Sequence, residues 1–591
     1  MTTLTMDPST WDDAEIDRYL TGGAVLRDLS PAVGSSDGAL LVGTTGPFAQ
    51  LAGRHALELG GSAVDAALVT SFAQIALAAG SWVSYAGILS LVHYDAATGE
   101  VRSLNGGFRR FLEEDDPLSI PTSPEPSGRT ALVPGFFAAA WRAHQTYGRL
   151  SWADLLAPAI FVAEQGFLLD AGRVMQFEAR RPVISRTPEG RATFMDGEDL
   201  PKAGDIVRQP LLASTLRHVA TDGVDYLYRG DWAQHFVDIV RREGGKATLA
   251  DLESYDLDWV APARGSVNGF AIFALGEPDY GGVALIEGLH LLEEAGVRDP
   301  CGSGEDLYWF VQVLRQTTVD RRLPTSQRLD PEHARATWKE MAAAGSFVGP
   351  AAPQVGSHSD CVAVVDHEGN AVALTHSINT GLWGSTGIFV DGISIPDAAC
   401  FQQQELARVA PGGHLPAPTN PSIVLRNGEL VLASSSIGAG LVSTTLQCVA
   451  AVLAGGVSVA DAVQMPLVHG LDMVVGDSIN TTVETKTTAP ASESASAAAL
   501  AARLNRVTGP RPATQGRDVV DILARSAQAV EDGIPSAVID GARERGQALS
   551  VRSREDATLP RGYWAAVSVQ SESPRLQGGR TPFVNGRVEG V

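Results

Sequence analysis

Cysteine is scarce in this chain. The four residues Cys301, Cys361, Cys400 and Cys448 are scattered over 591 positions, with no Cys-x-x-Cys spacing. That excludes a disulfide framework and a cysteine-based zinc site, and no metal or other cofactor is expected. Apolar surroundings make buried free thiols the expectation for three of them. Positive charge is also short: 45 Lys and Arg stand against 68 Asp and Glu, for a net charge of −23 and a pI near 4.9. That balance argues against nucleic acid and anionic membrane surfaces as partners. No apolar run is long enough to span a bilayer. Met1 to Leu20 carries Asp7, Asp12, Asp13, Glu15 and Asp17 in place of a basic and then apolar leader, so a cytoplasmic location is expected. No internal repeat is evident. What is present is 44% hydrophobic and 19% charged residues, which suits a globular protein with a large core.

The most informative stretch runs from Ser357 to Thr380. Two β-branched apolar runs flank Asp366-His367-Glu368-Gly369-Asn370, the pattern of a β-hairpin. A Ser-His-Ser-Asp string, 357–360, leads into the first strand. Its plainer reading is a polar approach to a buried strand. Its sharper reading is a Ser359 nucleophile exposed by cleavage of the His358–Ser359 bond, with the freed α-amine as base. Further along, Ile423–Arg426 and Glu429–Leu432 around Asn427-Gly428 predict a second hairpin. Ile88–Tyr94 and Val101–Leu104 predict a strand pair, and Leu441–Leu453 a helix. Residues 1–37 read as a loosely ordered lead-in, and about 481–502 as a low-complexity surface insertion.

Several strings together resemble the γ-glutamyltransferase family. They are Gly60-Gly61-Ser62-Ala63-Val64-Asp65-Ala66-Ala67, Val133-Pro134-Gly135, Tyr147-Gly148-Arg149-Leu150, Ala163-Glu164-Gln165-Gly166-Phe167, the Asp366 hairpin followed by Thr375-His376-Ser377-Ile378-Asn379-Thr380, and the closing Ser573-Pro574-Arg575. The resemblance covers roughly residues 38–591. It implies an α+β fold, the four-layer αββα sandwich of N-terminal-nucleophile hydrolases. The chain would be self-processed into a large fragment, 38–358, and a small one, 359–591, that remain partners around one catalytic site. The family's new N-terminus lies seven residues before the strand Asp, which falls on Ser359. The family usually has Thr there, and a hydroxyl is kept.

The resemblance also implies roles. Ser377 would support the nucleophile and Asn379 would hold a substrate's α-amino acid end. Backbone N–H groups of Ile437 and Gly438 would form the oxyanion hole, with strain if Ile437 needed a positive φ. The substrate end departs from the family. Ala417 and Pro418 replace two carboxylate-binding serines, and Gly107 replaces an arginine. Arg109 (or Arg110), Asp397, Thr419 and Asn420 are the remaining polar candidates for substrate binding. These departures point away from a γ-glutamyl group. The leading expectation is a small-molecule acyl substrate in specialised metabolism, with C–C hydrolysis releasing an oxalyl-type acid in an alkylproline antibiotic pathway. A conventional γ-glutamyl hydrolase/transferase and a non-catalytic scaffold are the two other readings.

Overall fold

The computed structural model describes residues 4–22, 30–122, 125–348, 359–472, 527–556 and 559–591. His358 and the 481–502 insertion lie outside the described residues. Two antiparallel sheets form the middle of the molecule. One has six strands, in the order Val588–Gly590, Leu40–Gly43, Ser359–Val365, Ala371–Ser377, Ile88–Tyr94 and Val101–Gly106. The other has seven: Ala32–Ser36, Leu576–Arg580, Tyr563–Val569, Glu429–Ile437, Ser422–Arg426, Phe270–Ala274 and Ala263–Val267. Both sheets draw strands from either side of the 358–359 boundary.

Strand alternation explains the layering. Along Ser359–Val365, the odd-numbered Cys361, Ala363 and Val365 join Ala371, Ala373, Ile423, Ala433, Ala565 and Val567 in a core between the sheets. The even-numbered Val362 and Val364 join the core under the helices Pro47–Glu58, Ala63–Leu77, Phe136–Tyr147 and Trp152–Gln165. A third core packs helices Gly281–Ala295, Gly304–Val319 and Leu441–Leu453 on the other sheet. The architecture is the four-layer αββα sandwich. Strands buried on both faces read as continuous apolar runs, as these do.

The predicted local elements are present. The strand pair and both hairpins form, and in the second hairpin Asn427 and Gly428 have φ of 55° and 88°, the left-handed pair that an Asn-Gly turn supplies. The helix predicted from the 60–67 string covers Ala63–Leu77. It opens on a capping box in which Ser62 and Asp65 bond reciprocally. Residues 4–22 differ from the expected loose lead-in. They form a short 3₁₀ turn and the helix Asp13–Gly22, because Met6, Trp11, Ile16 and Tyr19 bury against the core. Among the described residues no disulfide forms, and Cys361, Cys400 and Cys448 are buried.

The shared motifs are knots between elements. The Asp366 carboxylate accepts from the Ala63 N–H at the helix start (3.0 Å), from Asn370 Nδ2 (3.0 Å), and from the N–H groups of Glu368 and Asn370. Asp65 accepts from the N–H of Arg149 at 2.8 Å, and Arg149 pairs with Glu368. One buried cluster of acceptors thus ties the 60–67 helix, the 147–150 turn and the hairpin turn.

Gly87 brings the fold close to the site. A Cβ there would lie 2.3 Å from the Ser377 carbonyl oxygen and 2.8 Å from that of Ser84, and neither backbone group can swing away. Gly87→Ala should therefore displace the end of the Ala371–Ser377 strand and cost about 1–3 kcal/mol in denaturant unfolding. A variant as stable as the parent would contradict this close approach.

Candidate active site

The first hairpin sets the geometry. Its register pairs Ser359 with Ser377 and Cys361 with Thr375. The Ser359 hydroxyl donates to Ser377 Oγ at 2.8 Å, and Ser377 donates to Asn379 Oδ1 at 3.1 Å. The Asn379 N–H returns a bond to Ser377 Oγ at 3.0 Å. Asn379 has φ of 50°, a conformation that Asn tolerates better than most residues. All three side chains are buried. Ser359, Ser377 and Asn379, predicted separately, thus form one hydrogen-bonded chain aimed at Ser359 Oγ.

The facing sheet brings Ile437 and Gly438 to the end of the strand Glu429–Ile437. Ile437 is an ordinary strand residue, so the strain considered above does not arise. The positive φ, 88°, falls on Gly438, where a Cβ would meet the Arg561 carbonyl at 2.6 Å. Two contacts lock this strand to the hairpin: Ser435 Oγ lies 2.5 Å from Thr375 Oγ1, and the Ser435 carbonyl accepts from Cys361 Sγ. Asn420 braces it from behind, accepting from the Ser436 N–H at 3.1 Å and donating to Thr445 at 2.6 Å.

The other expected substrate residues are engaged elsewhere. Arg109 donates to His414 Nε2 at 3.0 Å and to the carbonyls of Ser254 and Asp256, and it stacks on Tyr255. Arg110 is spent on the carbonyls of Glu114, Leu406 and Val409. Neither guanidinium bonds to the Ser359 chain. Asp397 accepts from Thr380 Oγ1 and from the Ser385 N–H at 2.8 Å, which holds the 380–385 turn. Thr419 donates to the buried acid Asp279 at 2.7 Å and lies 3.3 Å from Ser90 Oγ.

Two acids were missed from sequence. Asp279 accepts from the Ala417 N–H at 2.9 Å, and burial pushes its carboxyl up to about 7. Asp360, on the opposite face from Ser359, is fully buried. It accepts from Thr44 (3.0 Å), Thr45 (2.8 Å) and Trp82 Nε1 (2.8 Å). Burial pushes it to about 7 as well, against the pull of those three donors. Strand alternation alone could have placed Asp360 inward; its partners, remote in sequence, could not be found that way. Next to it His376 bonds Gln74 at 2.9 Å and is held neutral, near 3, by burial.

The γ-glutamyltranspeptidase family model matches residues 49–538. The chain belongs to the γ-glutamyltranspeptidase family. A glutathione hydrolase proenzyme of Pseudomonas sp. (strain A14) is 25% identical over 476 residues, 74% of this chain and 82% of that protein. An acylase ACY 1 proenzyme of Pseudomonas sp. (strain SE83) is 25% identical over 479 residues, 74% of this chain and 83% of that protein. Among solved structures, a cephalosporin acylase from Bacillus halodurans superposes with a TM-score of 0.74 at 20% identity, covering 95% of this chain and 97% of that one. LmbA2991HD superposes with a TM-score of 0.72 at 20% identity, covering 95% of this chain and all of that one. These likenesses fix the fold as that of the N-terminal-nucleophile hydrolases. Membership makes the chain an enzyme of the hydrolase/transferase type. Among the described residues no helix is long and apolar enough to cross a membrane.

The two raised acids give a pH test. An acid whose pKa rises on folding binds more protons folded than unfolded. Its contribution is complete below about pH 4 and is lost as pH rises through about 7. Each group can change stability by at most about 1.4 kcal/mol per pH unit in that window. Unfolding free energy measured from pH 5 to 8 should fall for the parent chain and fall less steeply for Asp360→Asn. Equal slopes would show that Asp360 does not titrate there.

Proposed function

We propose that the chain cleaves itself before Ser359 and uses that serine, as a new N-terminal residue, in acyl transfer to water or an amine. The Ser377–Asn379 chain positions Ser359 Oγ, the freed α-amine takes its proton, and the N–H groups of Ile437 and Gly438 receive the developing oxyanion. Large and small fragments stay associated because the two sheets share strands from both.

We infer further that the acyl group lacks a free α-amino acid end. One observation carries this. Ile88, the cross-strand partner of Ser377, belongs to an apolar cluster with Phe108, Leu415, Ala417, Ala398 and Ala399. Those alanines occupy the places where the family resemblance expects groups for a carboxylate and an ammonium. Hydrogen bonds to charged groups are worth about 1.5–3 kcal/mol each, so losing three amounts to several powers of ten in discrimination. The substrate class favoured is a 2-oxoacyl compound of an alkylproline antibiotic pathway. Ser359 Oγ bonds to the carbonyl carbon and the adjacent C–C bond breaks. Its electron pair passes to a conjugated leaving carbon that takes a proton from the α-ammonium. Water then releases the oxalyl-type acid. The glutathione hydrolase names of several relatives favour the conventional γ-glutamyl reading.

Processed enzyme given glutathione in competition with 2-oxoacyl and simple acyl substrates should prefer the latter by tenfold or more. A tenfold preference for glutathione would overturn the pocket reading. Separately, Ser359→Ala should abolish turnover and Ser359→Thr should retain some. An active Ala variant would remove Ser359 as nucleophile.

A further inference from the structure

Three donor groups outside the proposed catalytic site converge from three helices or their ends. Glu287 lies on the helix Gly281–Ala295, Asp320 ends the helix Gly304–Val319, and His333 lies in the first turn of Pro331–Ala344. One donor atom from each falls within 4.8 Å of the others. Both acids are buried, and His333 is partly exposed.

The hydrogen bonding around them is incomplete at one point. Arg328, between the two later helices, donates Nε (2.9 Å) and Nη2 (2.5 Å) to Glu287 Oε2. Gln316 donates to Asp320 Oδ1 at 3.0 Å. Glu287 Oε1 and Asp320 Oδ2, both buried, receive no hydrogen bond from a donor group, and the two carboxyl groups lie within hydrogen-bonding reach of each other. His333 Nε2 lies 4.0 Å from Asp320 Oδ2 and has one weak contact, 3.5 Å to Thr337 Oγ1. Two orphan carboxylate oxygens facing one another repel unless a cation or proton sits between them. A shared proton would satisfy the two acids alone, whereas a cation would also engage the His333 imidazole.

We propose that Glu287, Asp320 and His333 bind one divalent transition cation, zinc being the probe of choice. Imidazole nitrogen and carboxylate oxygen are both zinc ligands, with bonds of about 2.0–2.2 Å, and three protein ligands leave a fourth position for water. A 4.0 Å donor separation already approaches what two such bonds span, and the part-exposed His333 ring needs only a small inward swing. None of the ligands is a cysteine, so cysteine spacing could not reveal the site. The cation would pin together the helices that carry the chain toward residue 348 and the segment preceding Ser359. Arg328 would remain the counter-charge to Glu287.

Chelator-stripped full-length protein, incubated with zinc and dialysed, should retain about one equivalent by elemental mass spectrometry, and its Tm should rise by several degrees. His333→Ala, a change at a part-exposed ring, should keep the metal-free Tm within about 2 °C while losing retention at least tenfold. Asp320→Asn should lose zinc likewise, and Cys301→Ser should keep it. A parent chain that retains no zinc, a His333→Ala variant that retains it fully, or loss of zinc on Cys301→Ser would each overturn the proposal.

Discussion

The register of one hairpin governs the whole arrangement. Ser359 meets Ser377 only because the Asp366–Asn370 turn closes the two strands in that pairing. Side chains on a strand alternate faces, so a slip of one residue would send Ser359 into the helix layer and bring Asp360 to the inter-sheet face. The turn is correspondingly over-determined. Asp366 serves three backbone donors and one side-chain donor, and Asn370 also accepts from the Ala96 N–H. The Ser359 hydroxyl is thus placed by a hydrogen-bonded turn at the far end of the strand.

The same alternation divides the chemistry between two faces. Toward the facing sheet lie Ser359, Cys361, Thr375 and Ser377, linked through Ser435 to the strand that ends at Ile437. Toward the helices lie Asp360 and His376, both buried; Thr44, Thr45 and Trp82 hydrogen-bond to Asp360, and Gln74 to His376 Nε2. Groups on the helix side cannot reach the inter-sheet face. Their effect on Ser359 is through the backbone they hold. Beyond Ser377, its cross-strand partner Ile88 joins Ala417 in a separate apolar cluster.

The fold was legible to a large degree because its signals are local. Asn427-Gly428 has the left-handed turn chemistry, Ser62 and Asp65 a capping box, and the continuous apolar runs suit strands covered on both faces. The site was legible where residues lie close in sequence: Ser359, Ser377 and Asn379 all belong to one hairpin and its exit. It was not legible where long-range packing decides. Asp279 reaches Thr419 across 140 residues, and Thr44 and Trp82 reach Asp360 across about 300. Arg109 is close to Gly107 in sequence, but its partners Tyr255 and the Ser254 and Asp256 carbonyls are set by long-range packing and could be found only in the fold. The helical start Asp13–Gly22 was missed because four spaced apolar residues among many acids suffice to dock it.

The central claim is that Ser359 becomes an N-terminal nucleophile. N-terminal sequencing of the purified protein, together with intact-mass measurement, tests it most directly. The account predicts two co-purifying fragments, the smaller beginning Ser-Asp-Cys-Val. A single uncleaved chain near 62.1 kDa after long incubation, or a new terminus at another residue, would contradict it.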